Sequence, residues 1–131
     1  MITNNRQLLL TYLSSGYPRF GMTFDFYVKQ SVIRILSEHF GIEFALVFEL
    51  NQTGYVLYPG TKNSVAVAAN GINILLNHTH PGGTPYASDP DMNWLRISRS
   101  NGSRQVKSVI LPQGRRRFCF SIHSRNLTYI P

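Results

Sequence analysis

The hydrophobic period changes abruptly near residue 41 of this 131-residue chain, and that change constrains the fold more than any other feature. Before it, apolar residues recur at three- and four-residue steps, as on one face of an α-helix: Val28, Val32, Ile33, Ile35, Leu36 and Phe40. Gly41 is a residue type that commonly ends a helix. Residues 42–50 then alternate with a period of two, as a β-strand does. A helix that leads directly into an alternating strand predicts helices packed on a sheet.

The remaining elements follow from the same periods and from turn residues. They are predicted in this order: a helix at 5–13, a strand at 42–50, a hairpin turn at 51–54, a strand at 55–59, a loop and a further strand within 60–68, a strand at 72–80 buried on both faces, a helix at 88–100 with Trp94, Leu95 and Ile97 facing inward, and an antiparallel pair at 107–112 and 116–124. This order predicts one α+β domain over residues 1–131, with a mixed β-sheet flanked by helices.

Composition restricts the setting and the partners. The chain carries 13 Lys and Arg against 6 Asp and Glu, a net charge of +7, and its densest basic run is Arg115, Arg116 and Arg117. This balance favours an acidic partner surface: nucleic acid, anionic lipid or an acidic protein. The single cysteine, Cys119, excludes an internal disulfide and lies in an alternating run typical of a packed strand. The apolar run at 8–13 is too short for a signal peptide or a membrane span. We therefore expect a soluble, cytoplasmic protein with no membrane partner, while secretion without a signal stays open.

Titratable residues concentrate between His78 and Asp91. His78 and His80 are two apart at a strand end, so their side chains share a face and can close on one metal ion. Asp91, at the start of the next helix, can return as a third ligand, which leaves the fourth position of a tetrahedral zinc ion open. Taken alone, Ser88-x-x-Asp91 and Asp89-Pro90 are equally typical of a helix start, with a capping box and an early proline.

Residues 78–91 match the His-x-His-x7-Ser-x-x-Asp motif at every defined position, and the chain thereby resembles the JAMM metallopeptidases, also called the JAB or MPN+ family. HTHPGGTP and the upstream GTKNS resemble the RadC-like, prokaryotic branch of that family. The resemblance runs from about Val28 to the end and implies a cytidine-deaminase-like JAB/MPN architecture. Residues 1–25 are an N-terminal extension of unknown role. Too few residues follow Ala66 for the family's second helix, so a shortened helix, either a loop or a single turn, is expected there.

The resemblance also implies an activity and a cofactor. One Zn²⁺ would be held by His78, His80 and Asp91, and the Ser88 hydroxyl would stabilise the oxyanion. The family's general acid/base glutamate would be Glu43, since Glu38 lies within a helix and Glu49 lies about 20 Å further along the strand. The implied reaction is hydrolysis of a peptide or isopeptide bond in a protein substrate, with ubiquitin-like conjugates among the candidates. The insertions with which specialised deubiquitinases hold ubiquitin are missing.

Other functions remain open. The net charge and the run from Arg115 to Arg117 favour a nucleic-acid-associated RadC-like module, in which these arginines contact nucleic acid or an acidic partner. The same arginines, alternating on an edge strand, are also typical of protection against aggregation. A non-catalytic scaffold is a further alternative. A bacterial effector or toxin domain would use the same zinc site.

Overall fold

Residues 1–127 are described in the structure, which is a computed structural model. Ten elements follow one another along the chain: α1 (Asn5–Ser15), β1 (Met22–Phe24), α2 (Gln30–Phe40), β2 (Phe44–Glu49), β3 (Tyr55–Pro59), β4 (Asn73–His80), α3 (Asp89–Ser100), β5 (Lys107–Pro112), β6 (Phe118–Ser121) and β7 (Ser124–Leu127). The strands form one sheet in the order β1-β3-β2-β4-β5-β6-β7. Among these strands β4 and β5 pair in parallel, whereas the other neighbours are antiparallel. The predicted α+β class with a mixed sheet is confirmed.

The alternation of β2 supplies two cores, one on each side of the sheet. Phe44 and Leu46 face α1 and α2, where they join the largest cluster of buried apolar side chains. Ala45 and Val47 face the opposite side and pack with Leu75 of β4. On that side α3 covers the neighbouring strands with a separate apolar cluster. The sheet is therefore buried on both faces near its centre, and the side with α3 carries the candidate site.

The N-terminal extension belongs to the main core. Asn4 begins α1 by accepting a hydrogen bond from the Gln7 N–H at 2.9 Å. Leu8 and Tyr12, one helical turn apart, are buried against the cluster beneath α2. Gly41 ends α2 in the left-handed conformation, with a φ of 67°, as the sequence predicts.

Two predicted features are wrong. Residues 60–68 form a turn and an extended loop, which we call the cleft loop, and no strand. The open side of β3 is already paired with β1, so this segment has no free neighbour with which to form a ladder. Ile97 is 51% exposed because it lies about 200° around the helix from the buried Leu95. The expectation that no full helix follows Ala66 is confirmed.

The arginine run also differs from its prediction. Arg115, Arg116 and Arg117 lie in the exposed turn between β5 and β6, so they do not alternate on a strand. The strand that follows, β6, pairs with β5 on one side and β7 on the other, so it is not an edge strand. The alternating pattern predicted one strand at 116–124. In the structure the chain turns at Ile122 and His123 and folds back as β7. The antiparallel pairing of β5 with β6 is confirmed, and Cys119 is a buried strand residue.

Within residues 1–127, none of the helices has the length and apolar composition needed to cross a membrane.

Candidate metal centre

Two neighbouring element ends bring the predicted ligands together. His78 and His80 lie at the C-terminal end of β4, a central strand of the sheet. Both are buried, and the side chain of His78 is only 2% exposed. Asp91 lies in the first turn of α3, which an eight-residue segment connects to the end of β4. Because α3 packs back on the face of the sheet that carries the histidines, the Asp91 carboxylate meets both rings.

The two rings and the Asp91 carboxylate form a compact triangle of groups, in which each ring nitrogen faces a different carboxylate oxygen. The two histidine Nε2 atoms are 3.1 Å apart. Asp91 places Oδ1 at 3.2 Å from His78 Nε2 and Oδ2 at 3.3 Å from His80 Nε2. Ligands at 2.0–2.1 Å from a tetrahedral zinc ion are separated from each other by about 3.3–3.4 Å. The three groups therefore have the spacing of one face of a tetrahedral coordination site.

Hydrogen bonding orients the His80 ring toward this triangle. His80 Nδ1 lies 2.7 Å from the Thr84 carbonyl oxygen, which can only accept, so Nδ1 carries the proton and donates it. Nε2 is therefore the nitrogen that faces Asp91, and a bound metal ion would replace the proton there. His78 stacks edge-on against Phe120, and its buried Nδ1 has no partner within residues 1–127.

The electrostatics of the cluster favour an ionised Asp91. Burial would raise the pKa of the Asp91 carboxyl, but hydrogen bonds from His78 and His80 outweigh it and hold that pKa far below its usual range. Burial would lower the pKa of His80, yet the hydrogen bonds to Asp91 and Thr84 raise it. The result is a carboxylate paired with two imidazoles in a poorly solvated setting.

Glu43 adds a second carboxylate beside the histidines. It immediately precedes β2, is 8% exposed, and offers an oxygen within 4.8 Å of a ring nitrogen of both His78 and His80. This Glu43, His78 and His80 group could hold a metal ion. Burial raises the pKa of Glu43, while the two histidines act in the opposite direction.

A tight turn at the start of the cleft loop holds the main chain of Glu43. The Glu43 N–H donates to the Thr61 carbonyl, and the Gly60 N–H donates to the Glu43 carbonyl, each at 2.8 Å. The turn closes through the Thr61 N–H, which donates to the Ser64 carbonyl at 2.7 Å. A Cβ at residue 60 would overlap the Ser64 oxygen, so the turn requires glycine. Part of the GTKNS segment thus positions Glu43.

Ser88 and Asp91 form the predicted capping box. The Asp91 N–H donates to Ser88 Oγ at 3.1 Å, and the Ser88 N–H donates to Asp91 Oδ2 at 2.9 Å. Ser88 is the N-cap, while Asp89 and Pro90 are the first two helical residues. The carboxylate that caps α3 is the one that contacts the histidines, so the helix start and the candidate site use the same residues. The Ser88 hydroxyl is exposed and retains its proton for donation.

A cleft of about 730 Å³ opens over the histidines. Its apolar wall combines Val65, Val67, Leu75 and Trp94. Trp94 donates its indole N–H to the Val67 carbonyl at 2.8 Å and so ties the cleft loop to α3. Sequence patterns placed Trp94 inward, but they gave no signal for this contact or for the Thr84 carbonyl, because both depend on loop conformation.

Other candidate residues lie outside the cluster. Glu38 and His39 are exposed on α2. Glu49 ends β2 and pairs with Asn73, at the opposite end of the strand from Glu43. The side chains of Arg115, Arg116 and Arg117 are exposed in a turn at the same edge of the sheet as His80.

Comparison of the chain with protein-family models, with curated proteins and with solved structures finds no match.

Proposed function

We propose that the protein is a zinc-dependent hydrolase of peptide or isopeptide bonds, of the JAMM type that its motif resembles. The observation that carries this proposal is the triangle of His78 Nε2, His80 Nε2 and the Asp91 carboxylate, with sides of 3.1–3.3 Å, beside a buried Glu43. Structural zinc sites use four protein ligands, whereas three ligands with an open position are typical of catalytic ones.

Asp91 is the better third ligand, although Glu43 also lies near the histidines. Its oxygens are 3.2 and 3.3 Å from the ring nitrogens, and its pKa is held low, so it is ionised as a ligand must be. Glu43 has an oxygen within 4.8 Å of a nitrogen of each ring, and burial raises its pKa, which suits a group that exchanges protons. Two imidazoles and one carboxylate are a donor set that zinc accepts.

When bound, the metal supplies a Lewis acid that activates water and polarises a carbonyl oxygen. Glu43 accepts the proton of the attacking water and returns it to the leaving amine. The Ser88 hydroxyl donates a hydrogen bond to the oxygen that becomes negative. The apolar wall of the cleft seats a substrate side chain and limits the access of bulk water.

The test measures zinc content and turnover in four proteins purified without chelator: the unmodified chain, Glu43→Gln, His80→Ala and the control Glu49→Gln. We expect about one zinc ion per chain in all except His80→Ala. Hydrolysis is measured on a panel of peptides and isopeptide-linked conjugates. Glu43→Gln should lose about 10²- to 10⁴-fold in rate, while Glu49→Gln, at the far end of the same strand, should match the unmodified chain.

Two results would contradict the proposal in different ways. If zinc added back to the unmodified chain does not bind, there is no metal centre and the hydrolase proposal fails. If Glu43→Gln binds zinc and retains full activity, the centre stands but the proton is carried by another group.

A further inference from the structure

The edge of the sheet that carries the candidate metal centre also carries the densest positive charge. His80 at the end of β4 pairs with Pro112 at the end of β5, and the Gln113 N–H donates to the His80 carbonyl at 3.0 Å. Residues 113–117, which we call the arginine turn, therefore leave the sheet directly beside a candidate ligand. Arg34 reaches this point from α2 and donates to the Pro112 carbonyl at 2.6 Å, which anchors the base of the turn.

The arginine turn presents Arg115 and Arg116 to an external anion. All five of its residues are exposed, and neither Arg115 nor Arg116 forms an ion pair with any residue in 1–127. The acidic side chains at this edge are otherwise engaged. Asp91 lies against the histidines, and Asp89 is paired with Arg125. An exposed guanidinium in such a setting binds carboxylates through paired hydrogen bonds.

Positive charge flanks the cleft on two sides. The sheet order β3-β2-β4-β5 places the cleft loop, with exposed Lys62, on one side of His80 and the arginine turn on the other. Lys62 and the arginine turn therefore form a partial cationic rim at the cleft, while Glu43 is buried and Asp91 contacts the histidines. Such a rim attracts an acidic partner and orients it before contact.

We propose that the arginine turn is a docking surface for an acidic segment of the polypeptide substrate, close to the bond that is cleaved. This inference rests on the proposed function, because it assigns the adjoining cleft to a polypeptide. A polypeptide fits the cleft better than a nucleic acid does, since Val65, Val67 and Trp94 offer apolar contact for a side chain. The basic groups beside the cleft are Lys62 on one side and the arginine turn on the other, and they do not form a continuous track for phosphates.

The experiment measures binding without turnover. The full chain carrying Glu43→Gln is titrated into a fluorescein-labelled peptide with six glutamates, and into its six-glutamine counterpart, and fluorescence anisotropy is followed. Two further proteins add R115S/R116S or the control R99S/R104S to that background. Arg99 is exposed in the last turn of α3 and Arg104 is exposed just beyond it, so the control removes the same charge away from the cleft.

We expect R115S/R116S to weaken binding of the acidic peptide about tenfold and the control to leave it within about twofold, with weak binding of the neutral peptide throughout. Equal losses in both double variants would mean that only net charge matters, and would overturn the proposal. The proposal is also overturned if a fluorescein-labelled twelve-residue oligothymidine binds more tightly than the acidic peptide through Arg115 and Arg116. All titrations are repeated without zinc, so a failed metal centre and a failed docking surface give different results.

Discussion

Asp91 accepts a hydrogen bond from the Ser88 main chain and also lies against both histidines. At the scale of single residues, the local requirement of a helix start and the requirement of the candidate site therefore coincide. The spacing of three residues between Ser88 and Asp91 is that of the capping box. Because Asp91 has both roles, a substitution there would change the stability of the helix and the binding of a metal ion together. A substitution at Ser88 weakens the cap but leaves the Asp91 carboxylate in the chain.

Ser88→Ala removes the acceptor for the Asp91 N–H but leaves the carboxylate in the chain. We expect it to lower the free energy of unfolding by about 1 kcal/mol, to retain bound zinc and to slow hydrolysis. Urea denaturation and metal analysis of the purified variant measure these effects. Ser100→Ala at the other end of α3 is the control, and a Ser88→Ala protein without metal would show that capping is required for the site.

Tyr12 provides a second prediction at the residue scale. Burial raises its pKa from 10.0 to about 12, so the folded state favours the neutral phenol. This contribution to stability is complete below pH 10, the unfolded value, and is lost as the pH rises from 10 to 12. The loss is on the order of 2 kcal/mol.

Tyr12→Phe should therefore show a flatter decline in stability above pH 10 than the unmodified chain does. Denaturant unfolding between pH 8 and pH 11.5 measures the difference. Tyr27→Phe, at a half-exposed tyrosine, serves as the control. Parallel declines in the Tyr12→Phe protein and the unmodified chain would show that folding does not raise the pKa of Tyr12.

At the scale of elements, the cleft loop lies where the family resemblance predicted a shortened second helix. Its carbonyl groups are satisfied by side chains instead of a strand partner: Trp94 binds the Val67 carbonyl and Asn73 binds the Ala68 carbonyl at 3.0 Å. Val65 and Val67 meanwhile pack on the sheet. The loop is thus held at a few points, and one of them is the indole of α3.

Trp94→Phe keeps an aromatic ring in the wall of the cleft but removes the hydrogen bond to Val67. We expect a loss of about 1 kcal/mol in stability and faster tryptic cleavage after Lys62, the exposed basic residue of the cleft loop. Limited proteolysis with mass spectrometry detects the cut. Tyr86→Phe, an exposed position in the same cleft, should leave this cleavage rate unchanged. Unchanged cleavage in Trp94→Phe would mean that packing of the valines alone holds the loop.

At the scale of the whole molecule, the candidate centre connects β2, β4 and α3, which come from separate parts of the chain. A ligand that binds all three elements in the folded state does not find them together in the unfolded state. Metal binding should then stabilise the entire domain, and not the cleft alone.

Zinc at about 1,000 times its dissociation constant should raise the free energy of unfolding by about 4 kcal/mol. Thermal unfolding followed by circular dichroism over a range of free zinc concentrations measures the rise in midpoint. The midpoint of His80→Ala should not depend on zinc. An equal rise in that variant would assign the effect to metal bound elsewhere.

Local sequence by itself determined several secondary-structure elements of this protein and the placement of some candidate site residues. The change of period at Gly41 predicted α2 and β2, since helix and strand expose apolar faces at different intervals. The His-x-His spacing placed two rings on one face of β4, and Ser88-x-x-Asp91 placed a cap at the start of α3. These features depend on neighbours within a few residues, which is why patterns in the chain reveal them.

Tertiary structure decided what local patterns do not encode. The alternation at 60–68 did not become a strand because β1 already occupies the open side of β3. The arginine run became a turn beside His80 because β4 and β5 end at the same edge. The spacing of 3.1–3.3 Å among His78, His80 and Asp91, the burial of Glu43 and the bond from Trp94 to the cleft loop all join residues that are distant in sequence. Such contacts depend on how the elements pack, because the favourable free energy of burial and pairing is realised only when separate segments meet.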